Sequence, residues 1–200
     1  ARVEAVAICL LHSYANPAHE LRVAELVREI LPPSTYITCS HQIMCQIREY
    51  ERTSTTVVNA LLGPIISQYL DNLTAHLTAK GVMRPIQVMQ SGGGQMSATA
   101  AREKPAYIIE SGPAAGVIAA ATVAREQQLD RAITLDMGGT TAKLALILDG
   151  LPEKTEDYEV GAGINLSSKL VTGAGYSVKL PFIDISEIGA GGGSIAWLDK

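Results

Sequence analysis

Residues 131–150 read RAITLDMGGTTAKLALILDG: two apolar runs joined by an acid, two glycines and two threonines. The runs Ala132–Leu135 and Ala142–Leu148 predict buried strands, and Gly138–Gly139 supplies the tight turn between them. A chain that breaks a buried strand in this way and resumes at once as a second strand commits itself to a β-hairpin.

The flanking sequence places that hairpin in an α/β setting. VEAVAICLL (3–11) predicts a buried strand. Asn16 then caps a helix with Pro17 at its first position, Val23, Leu26, Val27 and Ile30 recur at helical spacing, and Pro32–Pro33 ends it. TYITC (35–39) follows as a strand and completes a β-α-β unit. Residues 53–80 carry the strongest helical pattern, with Val58, Leu61, Leu62, Ile65, Ile66, Tyr69, Leu70, Leu73 and Leu77 expected on one apolar face, and a kink or split expected at Pro64. PIQVMQ (85–90) predicts a strand that runs into SGGGQ and opens another β-α-β step. AYIIESGPAAGVIAAATVAREQQ predicts a short strand, a turn at Ser111–Gly112–Pro113 and a small-residue helix. From residue 153 the chain is Gly-rich with short strand-like segments, YSVKL, FIDISEI and SIAWLD.

The 200 residues hold one large or two small domains, and 47% hydrophobic with 18% charged residues marks a globular chain. A net charge of −4 leaves no basic footprint for nucleic acid. Residues 107–124 are the longest weakly polar run, but Glu110, Ser111, Gly112 and Pro113 make them a poor membrane span. Cys9, Cys39 and Cys45 form no CxxC pair; an odd, scattered set suits a reducing compartment and a cytoplasmic location, with no zinc site completed by a second Cys or His pair. No signal peptide is visible, and the chain reads as a fragment that begins beside one strand and ends beside another.

In the hairpin, the glycines free the backbone N–H groups of any Cβ, a concavity that suits phosphate. Thr140 and Thr141 add hydroxyls, and Asp136 is placed to hold Mg²⁺ directly or through water, or to orient an attacking group. The alternative is an ordinary Gly-Gly hairpin, which has no use for the acid and the two hydroxyls. No GxxxxGK[ST] is present, and the glycines of GAGGGS (189–194) precede a strand-like run rather than a helix, so neither a P-loop nor a dinucleotide fingerprint fits.

The Asp-x-Gly-Gly-Thr hairpin resembles the phosphate loops of the actin, sugar kinase and heat-shock chaperone superfamily. VAICLLHSYANPAHE (6–20), IREYERTSTTVVNA (47–60), MQSGGGQMS (89–97), IIESGPAAGV (108–117), LDMGGTTAKLALI (135–147) and IDISEIGAGGGSIAWLD (183–199) together resemble the hydantoinase A / 5-oxoprolinase family, in order and over nearly the whole chain. CSHQIMCQ (39–46) departs from the family's more acidic, Ser- and Pro-containing stretch. The resemblance implies an α/β chain of actin-like, ribonuclease H-like ATPase fold, with mixed sheets and flanking helices, incomplete here. Residues 1–104 would end a first lobe and link to a second, and residues 105–200 would form that second lobe with its phosphate hairpin. It also implies ATP and Mg²⁺, a small cyclic amide as substrate, a B-type partner subunit, and phosphorylation of the substrate carbonyl before water opens the ring. An ATP-dependent carboxylase subunit, or a non-catalytic actin-like nucleotide module, are the alternatives.

Carried over by position, Asp136 would serve the metal and the attacking group, and Gly138, Gly139, Thr140 and Thr141 would contact phosphate. Lys143 is either a further phosphate ligand or a solvent-facing side chain. Gly189, Gly191, Gly192 and Gly193 would form the adenosine-side segment, or simply a loop or bulge, and Gly92 and Gly93 a second nucleotide-side loop. Glu49 and Arg52 would either face substrate or cap a helix; Asp184 and Glu187, three apart on a strand, would face opposite ways. The family's other phosphate loop is missing from these residues, so this chain alone would hold half of an ATP cleft and be inactive by itself. The reading demands that the 132–148 hairpin face an open groove with 189–193 on its rim.

Overall fold

The computed structural model describes residues 3–161, 175–195 and 197. The chain divides into two compact units: Ala1–Gln90 with Gly94–Ile109 and Ser177–Leu180, and Ser91–Gly93 with Glu110–Tyr176 and Pro181–Lys200.

In the first unit, β1 (Ala5–Ile8) and β2 (Tyr36–Cys39) pair in parallel, Ala5 opposite Tyr36 and Ile8 opposite Cys39, with α1 (Ala18–Ile30) as the crossover. The Asn16 side chain accepts from the Ala18 N–H at 3.0 Å, while the helix begins at Ala18 with Pro17 at the N-cap position, one residue later than expected. Ile8, Ala24 and Cys39 make the core of this β-α-β unit, with Val6, Leu10, Val23 and Ile37 packed around them.

A short α2 (Ser40–Ile43) precedes α3 (Glu49–Ala79), a single helix that carries Pro64 inside without splitting. The expected apolar face is corrected: Val58 and Leu70 are buried, but Leu61, Ile65 and Tyr69 point outward. Nine apolar positions wrap more than one side of a helix, and the buried side is instead polar at its N-terminal end, with Arg52, Thr55, Thr56 and Asn59. Most of their polar atoms are satisfied, the buried Arg52 Nε excepted. Asn59 Nδ2 donates to Tyr36 Oη, Thr38 Oγ1 and the Glu103 carbonyl, and its Oδ1 accepts from the Ala106 N–H. Gly63 is required at its position, since a Cβ there would collide with the Tyr36 ring.

Residues 85–97 are also corrected. β3 (Gln87–Met89) turns directly into β4 (Gln95–Ser97) as an antiparallel hairpin, Met89 opposite Gln95, in place of a β-α-β step. Gln90 N–H closes it on the Gly94 carbonyl at 2.8 Å. α4 (Ala98–Glu103), capped by Ser97 Oγ, and a 3₁₀ turn (Pro105–Ile108) follow, so the strand expected over residues 107–110 is absent.

In the second unit, α5 (Ser111–Glu126) takes Ser111, Gly112 and Pro113 into its first turn instead of a preceding loop. β5 (Arg131–Met137) and β6 (Ala142–Leu148) form the expected antiparallel hairpin, but β5 is not the buried strand expected: it pairs on one side with β6 alone and leaves Ile133 and Leu135 exposed. Short strands β7 (Leu151–Pro152), β8 (Lys154–Thr155), β9 (Tyr158–Val160), β10 (Tyr176–Val178, of which Ser177 and Val178 belong to the first unit) and β11 (Phe182–Ile183) lead to β12 (Ile185–Ile188). The sheet order is β12-β6-β5, with β7 also on β6 and β11 on β8. The small residues of α5 let it lie close on this sheet: Ala114 and Val117 pack on Ala145, Ile183 and Ile185, and Ala121 and Ala124 on Ile147. The strand expected over SIAWLD falls partly outside the described residues, and Ser194, Ile195 and Trp197 are not in a strand. Among the described residues no helix is long and apolar enough to cross a membrane, and all three cysteines are free thiols.

Candidate functional site

The β5–β6 register puts Asp136 opposite Lys143 and Met137 opposite Ala142, leaving 138–141 as the connecting turn. Gly138 N–H closes the turn on the Thr141 carbonyl at 3.0 Å. Gly138, Gly139 and Thr140 are exposed, and no atom within 4 Å would meet a Cβ on Gly139. Among the described residues, the N–H groups of Gly139, Thr140 and Thr141 and both threonine hydroxyls have no hydrogen-bond partner. Consecutive unpaired donors without a shielding side chain are open to an anion.

The second glycine segment reaches this turn through strand pairing. β12 lies antiparallel on β6, with Glu187 opposite Lys143 and Ile188 opposite Ala142, so the chain leaves β12 beside the turn. Gly192 N–H donates to the Gly138 carbonyl at 2.9 Å. Gly191 is buried, and a Cβ there would collide with the Gly139 carbonyl, so no other residue permits this approach. Ser194 Oγ accepts from Gly191 N–H at 3.2 Å and holds the loop closed. Gly192 and Gly193 stay exposed, and Gly189 and Gly193 face open space. The two glycine segments, 138–141 and 189–193, therefore form one continuous backbone surface.

Asp136 is exposed and its carboxylate has no hydrogen bond or ion pair among the described residues. It is therefore available to a cation. Lys143 is different: its ammonium lies 2.9 Å from Glu110 Oε2 and 3.7 Å from Glu187 Oε1, with the side chain 19% exposed. Its ammonium is engaged by these two acids rather than turned to open solvent. Burial opposes its charge, but the hydrogen bond and charge of Glu110, then the charges of Glu187 and Asp136, outweigh that and raise its pKa. Glu110 reaches Lys143 from the residue before α5, held at φ 58°, ψ 20° in the left-handed region. A cavity of about 310 Å³ lies between α5 and the sheet, with Gly116, Ala120, Asp136 and Lys143 on its wall.

Gly92 and Gly93 have a packing reason. Gly93 sits at φ +86°, and a Cβ there would come within 2.7 Å of Ile118 Cδ1; one on Gly92 would meet the Pro181 carbonyl at 3.0 Å. Ile183 N–H donates to the Ser91 carbonyl at 2.8 Å, tying this loop to β11.

Glu49 and Arg52 belong to the first unit. Glu49 is exposed in the first turn of α3. Arg52 is buried: Nη2 donates to the Leu10 carbonyl at 2.8 Å and Nη1 to that of Gln46 at 3.3 Å, and its guanidinium lies 5.4 Å from the Tyr14 ring centroid. This is a loop-tying position.

Sequence reasoning missed the two acids on Lys143. The only signal for Glu187 was its place on a strand, and for Glu110 its place before the Ser-Gly-Pro of the helix. It also missed a buried cluster in the first unit, where Glu20, Cys39 and His41 offer ligand atoms within 4.8 Å of one another. The eighteen residues between Glu20 and Cys39 conceal that grouping.

The Hydantoinase/oxoprolinase family profile matches residues 52–200, and the profile of the family's N-terminal region matches residues 1–31. The chain is 37% identical over 198 residues to caprolactamase subunit alpha of Pseudomonas jessenii, spanning 99% of this chain and 26% of that one. The crystal structure of that ATP-dependent caprolactamase superposes with a TM-score of 0.74 over 98% of this chain. A nucleotide-free acetone carboxylase structure gives 0.76 at 29% identity, again over 98% of this chain and 26% of that one. With 5-oxoprolinase of Saccharomyces cerevisiae the identity is 32% over 194 residues, covering 96% of this chain and 14% of the enzyme. The chain thus spans about a quarter or less of the length of these relatives.

Proposed function

The chain belongs to the hydantoinase/oxoprolinase family, and from that membership we propose that it is the nucleotide-handling segment of an ATP-dependent cyclic amide hydrolase. The observation that carries the proposal is the exposed 138–141 turn, with its unpaired donors, an uncommitted Asp136 before it and the 189–193 loop seated on it.

The residues fit a polyphosphate and its cation. The N–H groups of Gly139, Thr140 and Thr141 and the two hydroxyls would hold phosphate oxygens, and charge-assisted bonds of this kind are each worth roughly 1.5–3 kcal/mol. Asp136 offers the hard oxygen that Mg²⁺ accepts, alongside water and phosphate. Gly189, Gly192 and Gly193 would present a flat backbone to the nucleoside side, with the buried Gly191 seating that loop on the turn. When bound, Mg-ATP would supply a phosphoryl group to a substrate carbonyl, making a poor electrophile a good one. The chain's own part is to hold the phosphates still, keep bulk side chains away and orient the attacking oxygen with Asp136. Lys143, committed to Glu110 and Glu187, would act here by fixing the start of α5 and β12 beside the turn. Gly92 and Gly93 would support this surface by packing, and Glu49 remains the exposed candidate for substrate contact in the first unit.

Lactam chemistry is favoured over carboxylation by the 37% identity to a caprolactamase, against 29% to an acetone carboxylase. Caprolactamase subunit alpha is named as one subunit of its enzyme, and a B-type partner subunit is proposed here likewise. The test uses the full-length protein with its partner. Substrate-stimulated ATP hydrolysis should accompany ring opening of a lactam, hydantoin or 5-oxoproline and should be lost in Asp136→Ala. Ring opening undiminished in that variant would refute the assignment, and carboxylated ketone as the only product would replace the hydrolase reading with a carboxylase.

A further inference from the structure

The first unit holds a buried acid–histidine pair that the glycine turn does not involve. Glu20 is completely buried and its carboxylate is pinned on both oxygens. Oε1 accepts from the Leu10 N–H at 2.9 Å and Ser40 Oγ at 2.6 Å; Oε2 accepts from the His41 N–H at 3.1 Å and from His41 Nδ1 at 2.7 Å. Burial alone would favour the neutral acid, but these four donors outweigh it and pull the Glu20 pKa down to about 2.

Although Cys39 joins Glu20 and His41 in a ligand-like triad, the group is not free to take a metal. Both Glu20 oxygens already serve two donors each. Burial and the Glu20 charge push the Cys39 thiol up to about 11, away from the thiolate that binds metal.

The consequence falls on His41. An ionised carboxylate can only accept, so Nδ1 carries a ring proton toward Glu20 and Nε2 is turned away from it, an acceptor in the Nδ1–H tautomer. Nε2 has no partner among the described residues, and His41 lines a cavity of about 680 Å³. Arg28, Arg102 and Lys104 line the same cavity, with Glu103 as the one acid. Arg102 pairs with Asp71, while its Nε is buried with no partner. Lys104 lies 5.8 Å from the Tyr107 ring centroid, and Arg28 has no ion-pair partner among the described residues. The cavity thus combines an oriented acceptor with an excess of positive charge.

We infer that this cavity is a binding site for a small organic anion that also carries an O–H or N–H, donated to His41 Nε2 while the anionic oxygens meet Arg28 and Lys104. The chemistry fits a phosphate monoester or a hydroxy-carboxylate. The site uses only residues of the first unit, so its failure would leave the proposed function untouched.

The test titrates the full ¹⁵N-labelled chain with inorganic phosphate and, separately, with lactate. It follows the His41 ring nitrogens by long-range proton–nitrogen correlation. The unliganded ring should show the Nδ1–H tautomer, and Nε2 should shift saturably with one or both probes. A response to phosphate alone assigns a phosphate-bearing ligand, and to lactate alone a hydroxy-carboxylate. Asn places a donor where Nδ1 stands, so His41→Asn should keep the Glu20 bond and the fold while abolishing the binding seen by calorimetry. Arg28→Gln and Lys104→Gln should each weaken it about tenfold. An Nε2 resonance that answers neither probe, or affinities unchanged in folded His41→Asn and Arg28→Gln, would overturn the inference.

Discussion

Replacing Gly191 with alanine drives a methyl group into the Gly139 carbonyl and to 2.8 Å from the Thr140 nitrogen, where ordinary contact begins near 3.4 Å. Both obstacles are backbone atoms of the turn, so neither can rotate aside. The loop must lift, and the bond from Gly192 N–H to the Gly138 carbonyl goes with it. Loss of that bond costs about 1 kcal/mol, and forcing a methyl into a close-packed contact about 1–3 kcal/mol, part of which relaxes as the loop moves. Gly193 provides the internal control, since a Cβ there meets nothing within 4 Å. Native-state hydrogen exchange at the Gly192 amide reads the difference. Protection should fall by about tenfold or more in Gly191→Ala, matching about 1.4 kcal/mol, and stay near wild type in Gly193→Ala. Equal exchange in the two variants would refute the claim that close backbone approach holds the two glycine segments together.

Three other substitutions test the surrounding argument. Asp136→Ala removes an exposed, uncommitted carboxylate, so urea denaturation should move by no more than about 0.5 kcal/mol while Mg²⁺-dependent nucleotide binding is lost. Arg52→Ala leaves the Leu10 and Gln46 carbonyls without their donor and empties a buried volume, so it should destabilise the chain by about 3 kcal/mol in the same assay. Glu20, whose folded pKa lies near 2 against an ordinary value of 4.5, contributes stability that is fully present above pH 4.5 and fades as pH falls toward 2. Glu20→Gln should flatten that part of the acid-unfolding profile and cost about 1–3 kcal/mol at pH 7, because an amide nitrogen replaces an acceptor amid four donors.

The hairpin was legible in the sequence because every signal for it is local: two apolar runs, two glycines and an acid within eighteen residues. The β1–α1–β2 unit was legible for the same reason, its cap and stop residues lying inside a continuous pattern. Arg52, Thr55, Thr56 and Asn59 were not, because helical periodicity scores apolar positions and cannot see a polar face whose partners come from Leu10, Thr38 and Ala106. β4 is three residues long and polar at two of them, so nothing announced the hairpin that replaces a helical crossover after Met89. The fate of Lys143 depended on the β12–β6 register and on where α5 begins, both tertiary facts. The Glu20–His41 pair likewise appears only once the parallel β1–β2 pairing brings α1 and α2 together.

The most direct measurement is a crystal structure of the full-length protein with Mg²⁺ and a non-hydrolysable ATP analogue. Phosphate oxygens should lie within hydrogen-bonding distance of the Gly139, Thr140 and Thr141 amides, with Asp136 on the cation or one of its waters. Nucleotide bound with its phosphates elsewhere and those three amides bare would contradict that placement.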